Sequence, residues 1–179
     1  MKRVLTLAAL AVLLGAPAAT VSTVSAQDTD FSGTWNLDRN SSELPQGRGG
    51  GRGGGGRGGG GRGGRGRLMA ETLVIPQTAA SVTVEQQSDG QSRSIEYALD
   101  GSETTVQQGN GTLTVSASWD GATLVTEGTQ SIETGRGNFT LDLTERRTLS
   151  SDGRTLTIET TRGTPRGSQT FRLVYQKAM

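Results

Sequence analysis

Residues 81–124 read SVTVEQQSDGQSRSIEYALDGSETTVQQGNGTLTVSASWDGATL and hold four two-residue turn signals: Asp89-Gly90, Asp100-Gly101, Asn110-Gly111 and Asp120-Gly121. They arrive eleven, ten and ten residues apart, and a fifth, Asp152-Gly153, follows later. Asp-Gly and Asn-Gly suit tight hairpin loops because both central positions need positive φ, which glycine adopts freely and Asn or Asp tolerates. Between the signals, apolar and polar residues alternate, the period of a half-buried strand. Such spacing predicts an antiparallel meander in which each strand pairs with the next.

A two-residue loop also fixes which residues face each other, and a one-residue slip would turn every side chain over. Across Asp89-Gly90 the register sets Val84 against Ile95 and Val82 against Tyr97. Across Asp100-Gly101, Ile95 then opposes Val106, and across Asn110-Gly111, Val106 opposes Val115. Across Asp120-Gly121, Ala117 opposes Leu124 and Trp119 opposes Ala122. The apolar set stays on one face throughout, so turn chemistry and hydrophobic pattern agree.

The alternation continues through Phe139, Leu141 and Leu143, then Leu149, Leu156 and Ile158, and closes with Phe171, Leu173 and Tyr175. With Gly33 to Asp38 this makes about ten strands, and no helical period of useful length follows residue 26. Ten strands with one apolar face either split into a sandwich or curl into a barrel, and closure removes the unpaired edges that invite aggregation. The expected fold is an all-β, up-and-down barrel of 8–10 strands. The loop from Gly163 to Gln169 leaves the last hairpin's register open.

The body begins Phe31-Ser32-Gly33-Thr34-Trp35-Asn36-Leu37-Asp38. This FSGTWNLD string resembles the start of secreted bacterial lipocalin-like (calycin-type) domains, in which a Gly-X-Trp on the first strand closes the barrel floor. The resemblance implies a barrel around one small ligand. It also implies that an arginine near the last strand packs across the tryptophan, which makes Gly33, Trp35 and Arg172 the barrel-closing set.

Composition narrows the chemistry. The chain has no histidine and no cysteine, which excludes Ser-His-Asp and Cys-His nucleophilic machinery, thiol redox work, disulfides and zinc sites of the usual N and S ligands. Nothing in the spacing sets two carboxyls, such as Asp142 and Glu145, at a glycosidase separation. The Asp-Gly turns lack the alternating oxygen ligands of calcium loops. The reading is of a protein without catalysis, metal or cofactor.

The first 26 residues, MKRVLTLAALAVLLGAPAATVSTVSA, place Lys2 and Arg3 before an apolar run from Val4 to Leu14 and then small residues. That is the layout of a secretory signal peptide, with cleavage after Ala26 and an earlier option after Ala18; the expected location is periplasmic or secreted. Removing it leaves 153 residues, enough for a single domain, 27–179. Residues 47–67, GRGGGRGGGGRGGGGRGGRGR, hold fifteen glycines and six arginines and nothing else. They have no side chain to bury and read as a disordered loop after the first strand. Arg48, Arg52, Arg57, Arg62, Arg65 and Arg67 make this arm a candidate weak binder of anionic envelope polymers or lipids, against a plain low-complexity expansion. With no aromatics for base stacking, and in an exported protein, nucleic acid is the poorer partner. Outside signal and arm, ten basic residues face all 17 acidic ones, so the body carries −7.

The expected lumen is lined by Trp35, Ile95, Tyr97, Val115, Trp119, Phe139, Leu141 and Arg147, with Thr104, Gln108, Ala117 and Thr126 as small or polar inward positions. So few bulky residues leave either a cavity or a collapsed core. In the long strand NFTLDLTERRTLS, parity carries Phe139, Leu141 and Leu143 inward and then Glu145 and Arg147. Two readings stand for that pair: an inward arginine that neutralises the acid of an amphipathic ligand, or a bulge that turns both charges to solvent. For the whole protein the readings are a carrier of a small apolar or amphipathic molecule, or a solid interaction module whose arm touches the envelope. A transmembrane barrel fits poorly, because central strands of seven or eight residues fall short of a crossing and aromatic girdles are missing.

Overall fold

A computed structural model describes residues 29–43, 69–135, 137–164 and 167–179. The signal-like segment and the arginine-glycine arm lie outside them. Among the described residues there are ten strands and no helix: β1 Gly33–Leu37, β2 Thr72–Ile75, β3 Ser81–Ser88, β4 Gln91–Ala98, β5 Thr104–Gln107, β6 Gly111–Asp120, β7 Thr123–Thr134, β8 Gly137–Leu149, β9 Thr155–Thr164 and β10 Gly167–Lys177. They form one antiparallel sheet in the order β4-β3-β2-β1-β10-β9-β8-β7-β6-β5. The first strand therefore sits between β2 and β10 and joins the two halves of the meander. The sheet curls until β4 approaches β5 and β6 without pairing to them, so the barrel is closed except for one seam. This is the calycin-type architecture that the FSGTWNLD string implied.

Parity behaves as expected. Val82, Val84, Ile95, Tyr97, Leu113, Val115, Ala117, Leu156, Ile158, Phe171, Leu173 and Tyr175 are all buried in a single core. Asp89 and Gly90 both take positive φ, 48° and 74°, as a type I′ loop requires, and Val84 faces Ile95 while Val82 faces Tyr97.

Elsewhere the registers differ from those expected. Ile95 does not face Val106, because β4 and β5 are the two edges of the seam. The amide of Leu99 donates to Ala80 O (2.9 Å) and that of Ser102 to Asp100 Oδ1 (2.9 Å), so neither is left to close a hairpin around Asp100-Gly101. At the next turn the loop is Gly109-Asn110, with Val106 against Leu113 and Thr104 against Val115. Gly109 supplies the positive φ, 64°, because Gly111 is taken up by the ladder: a Cβ there would lie 2.1 Å from Ser131 O. Likewise Asp120 belongs to β6 and the loop is Gly121-Ala122, setting Trp119 against Leu124 and Ala117 against Thr126. Each of these slips moves the opposed residue by two positions, which leaves the inner face unchanged. Asp152-Gly153 sits in a longer loop between Leu149 and Leu156, where Ser150 N donates to Thr155 O (2.9 Å). In the last hairpin Thr164 pairs with Gly167, which fixes the register that the sequence left open.

The barrel floor is built around Trp35, which is fully buried. Its Nε1 donates to Phe31 O (2.9 Å), and Phe31 stacks on Trp119 with ring centroids 5.8 Å apart. Gln77 clamps this opening segment twice, accepting from Phe31 N (2.9 Å) and donating to Thr29 O (2.8 Å). The cation over the indole is not Arg172. Lys177, the register partner of Trp35, places Nζ 5.2 Å from the ring. Arg172 alternates with the inward residues Phe171 and Leu173, so it faces outward and pairs with Glu43 at 3.2 Å. Gly33 makes room for the lysine, since a Cβ there would lie 2.9 Å from Lys177 Cε.

Trp35→Ala should destabilise the protein by about 3–5 kcal/mol in urea unfolding followed by circular dichroism. Lys177→Gln, which removes an exposed cation–π contact, should cost no more than about 1 kcal/mol.

Candidate functional site

Strand β8 pairs without interruption to β7 from Leu124↔Arg147 to Thr134↔Gly137, and to β9 from Leu143↔Arg162 to Leu149↔Leu156. No bulge intervenes, so parity carries Glu145 and Arg147 inward. Arg147 is 1% exposed, and the Glu145 side chain, nearer the rim, is 19% exposed.

The arginine is held from three strands. Its Nη2 pairs with Glu145 Oε2 and donates to the Tyr97 hydroxyl at 3.4 Å, and Nη1 donates to Thr126 Oγ1 at 3.2 Å. The guanidinium also lies over the Tyr97 ring, 5.0 Å from its centroid. Thr160 Oγ1 donates to the second carboxylate oxygen of Glu145 at 3.4 Å. Burial, the largest single influence, works against the charge on Arg147, yet the Glu145 carboxylate and the Tyr97 hydroxyl together outweigh it and hold the group above the ordinary arginine value. Tyr97 and Tyr175 are both pushed upward, first by burial; the Tyr175 hydroxyl donates to Ala70 O at 3.1 Å.

Two further guanidiniums share this inner face. Arg93 lies two positions from Ile95 on β4, across from Gln86 of β3, and Arg162 lies two positions from Thr160 on β9, with its guanidinium 5.7 Å from the Phe171 ring. Each is half-buried, and each has a buried Nε without a hydrogen-bond partner, as does Arg147. Burial pushes both below the ordinary arginine value, only partly offset by Tyr97 and Glu145 at Arg93 and by Glu145 at Arg162. Arg162, together with Gln86, the register partner of Arg93, lines a chamber of about 30 Å³. Ala70, Leu73, Val84, Ile158 and Leu173 form its apolar wall, and Gln86, Glu145, Arg147, Thr160 and Arg162 its polar one. That volume holds about one water molecule. Arg147 is among the largest fully buried side chains of the interior.

Of the expected lining residues, Trp35, Ile95, Tyr97, Val115 and Arg147 are buried, and Trp119 and Leu141 half-buried. Phe139 is 44% exposed. It has the inner parity but sits on the part of β8 above Leu143, where no β9 residue pairs with it. Thr126 and Ala117 are buried, Thr104 and Gln108 half-buried, and Gln108 accepts from Gln130 at 3.1 Å. The six arm arginines fall outside the described residues. Arg93, Arg162 and Gln86 were not expected inside. Extending the period of two beyond Ile95 and Ile158 would have found the first two, and the polar rim of the strands hid them.

No family model matches the chain, and no curated protein does. Among solved structures, the chain is similar to the fatty acid transporter REP1-NXSQ, with TM-score 0.53 at 13% identity over 83% of this chain and 96% of that one. It is similar to the apo form of lipid binding protein 8 of Caenorhabditis elegans, with TM-score 0.53 at 12% identity over 83% of this chain and 95% of that one. At such identities the likeness is one of fold: fatty-acid-binding and lipocalin-like calycin barrels.

Both tyrosines of the chain are buried with raised pKa. Folding therefore holds them protonated, a stabilisation complete below the unfolded value of about 10 and lost as pH rises through the folded one. Tyrosinate absorbance in an alkaline titration should appear only together with unfolding, and not as a separate earlier step. Glu145→Gln, which strips Arg147 of its counter-charge, should cost about 3 kcal/mol in urea unfolding.

Proposed function

We propose that this chain is an exported barrel that binds a small apolar or amphipathic molecule in its lumen, with any acid group of the ligand turned towards the inward guanidiniums. The observation that carries the reading is the charged interior. An inward guanidinium is costly, and a barrel filled only for stability would place Leu or Met at the position of Arg147. Here a cationic cluster meets an apolar wall in one chamber, the division an amphipathic acid requires. Of the proteins of like fold, one is by name a fatty acid transporter and another a lipid binding protein. Export rests on the layout of residues 1–26, and the absence of histidine and cysteine fits a carrier rather than an enzyme.

A chamber of about 30 Å³ admits a ligand only if side chains move. The seam between β4 and β5 has no ladder hydrogen bonds to break, so the wall opens there at least cost. The same small volume favours a second reading, a solid interaction module that makes its contacts from outside, with the arm on anionic polymers or lipids.

Titration of a fluorescent fatty acid into the wild-type protein and Arg147→Met separates these. The carrier reading expects saturable binding weakened about tenfold or more by the substitution, with the circular dichroism spectrum retained. Equal affinity would remove Arg147 from the site, and no saturable binding by either protein would favour the solid module.

A further inference from the structure

Arg147 is already answered by Glu145, whereas the other two inward cations are not. Among the described residues the side chains of Arg93 and Arg162 make neither ion pair nor hydrogen bond; that of Arg162 has only the Phe171 ring. Three guanidiniums against one carboxylate leave the inner wall with an excess of two positive charges. The two unanswered ones stand nearer the rim, on β4 and β9, and Gln86, the register partner of Arg93, lines the same chamber as Arg162. A like-charged pair with unsatisfied buried donors costs folding energy. Only an anion placed between them removes the repulsion and the orphaned donors together.

We infer that Arg93 and Arg162, with Gln86 beside them, form an anion seat at the rim of the lumen, and that it takes an amphiphile whose headgroup carries two negative charges, a phosphate monoester by chemical class. A monocarboxylate would leave one guanidinium uncompensated. A phosphate monoester brings close to two charges near neutral pH and three acceptor oxygens, and guanidinium matches it in a bidentate fork. Its alkyl chain would follow the apolar wall of Leu73, Val84, Ile158 and Leu173. The inference rests on the lumenal reading of the preceding subsection and names the headgroup that reading left open.

Decyl phosphate and decyl sulfate share a chain and a tetrahedral headgroup and differ by one charge at about pH 8. Each is used below its micellar concentration to displace a bound fluorescent fatty acid from the full chain. Decyl phosphate should bind about tenfold tighter, and the double variant Arg93→Gln/Arg162→Gln should lose that preference. The arm arginines are unchanged in the variant, so anion binding by the arm does not mimic the result. Arg93→Lys/Arg162→Lys, which keeps both charges, should retain most of it. Equal affinity for the two amphiphiles, or a preference that survives the double Gln variant, would overturn the anion seat while leaving the lumenal reading intact. If the probe binds and neither amphiphile displaces it, the seat is likewise overturned; if neither the probe nor any amphiphile binds, both readings fall.

Discussion

The architecture depends on where the first strand is inserted. β1 pairs with β2 on one side and with β10 on the other, so two runs of a simple meander become a single wall around one interior. Trp35 fixes that junction by plugging the floor, bonded to Phe31 and covered by Lys177. Once the wall curves, the period of two decides everything else: alternate residues from nearly every strand converge on one core, and their neighbours face water.

That same rule forces charge into the interior. The unbroken ladders on both sides of β8 leave Glu145 and Arg147 no means of turning outward, and parity does the same to Arg93 and Arg162. Burial is tolerable for Arg147 because a carboxylate, a hydroxyl and an aromatic ring meet it. The rim arginines have no carboxylate or hydroxyl partner, and only Arg162 has a ring, that of Phe171. An interior whose charge is balanced at depth and unbalanced at its mouth is the physical basis for reading the lumen as a receptor for an anionic amphiphile.

The sequence made most of this architecture readable. Strand number, the inner apolar face and the hairpin at Asp89-Gly90 follow from alternation and turn chemistry alone. The turn pairs misled where a glycine had a second duty: Gly111 is held in the ladder by the close approach of β7, so Gly109 became the turn residue. Asp100-Gly101 misled because its neighbours' amides are spent elsewhere, which opens the seam. The barrel-closing cation was misassigned to Arg172, although counting by twos from Phe171 reaches Lys177. Inward arginines near strand ends were obscured because polar residues there resemble any solvated rim. How far side chains fill the lumen depends on packing in three dimensions, which composition cannot supply.

The central claim is that this barrel holds an acidic amphiphile inside itself. Native mass spectrometry of the full chain, recorded before and after incubation with an extract of polar lipids, tests it most directly. The account predicts a one-to-one adduct whose released mass is that of an anionic amphiphile. A protein that stays bare with the extract present, or that takes up neutral and cationic lipids as readily as acidic ones, would contradict it.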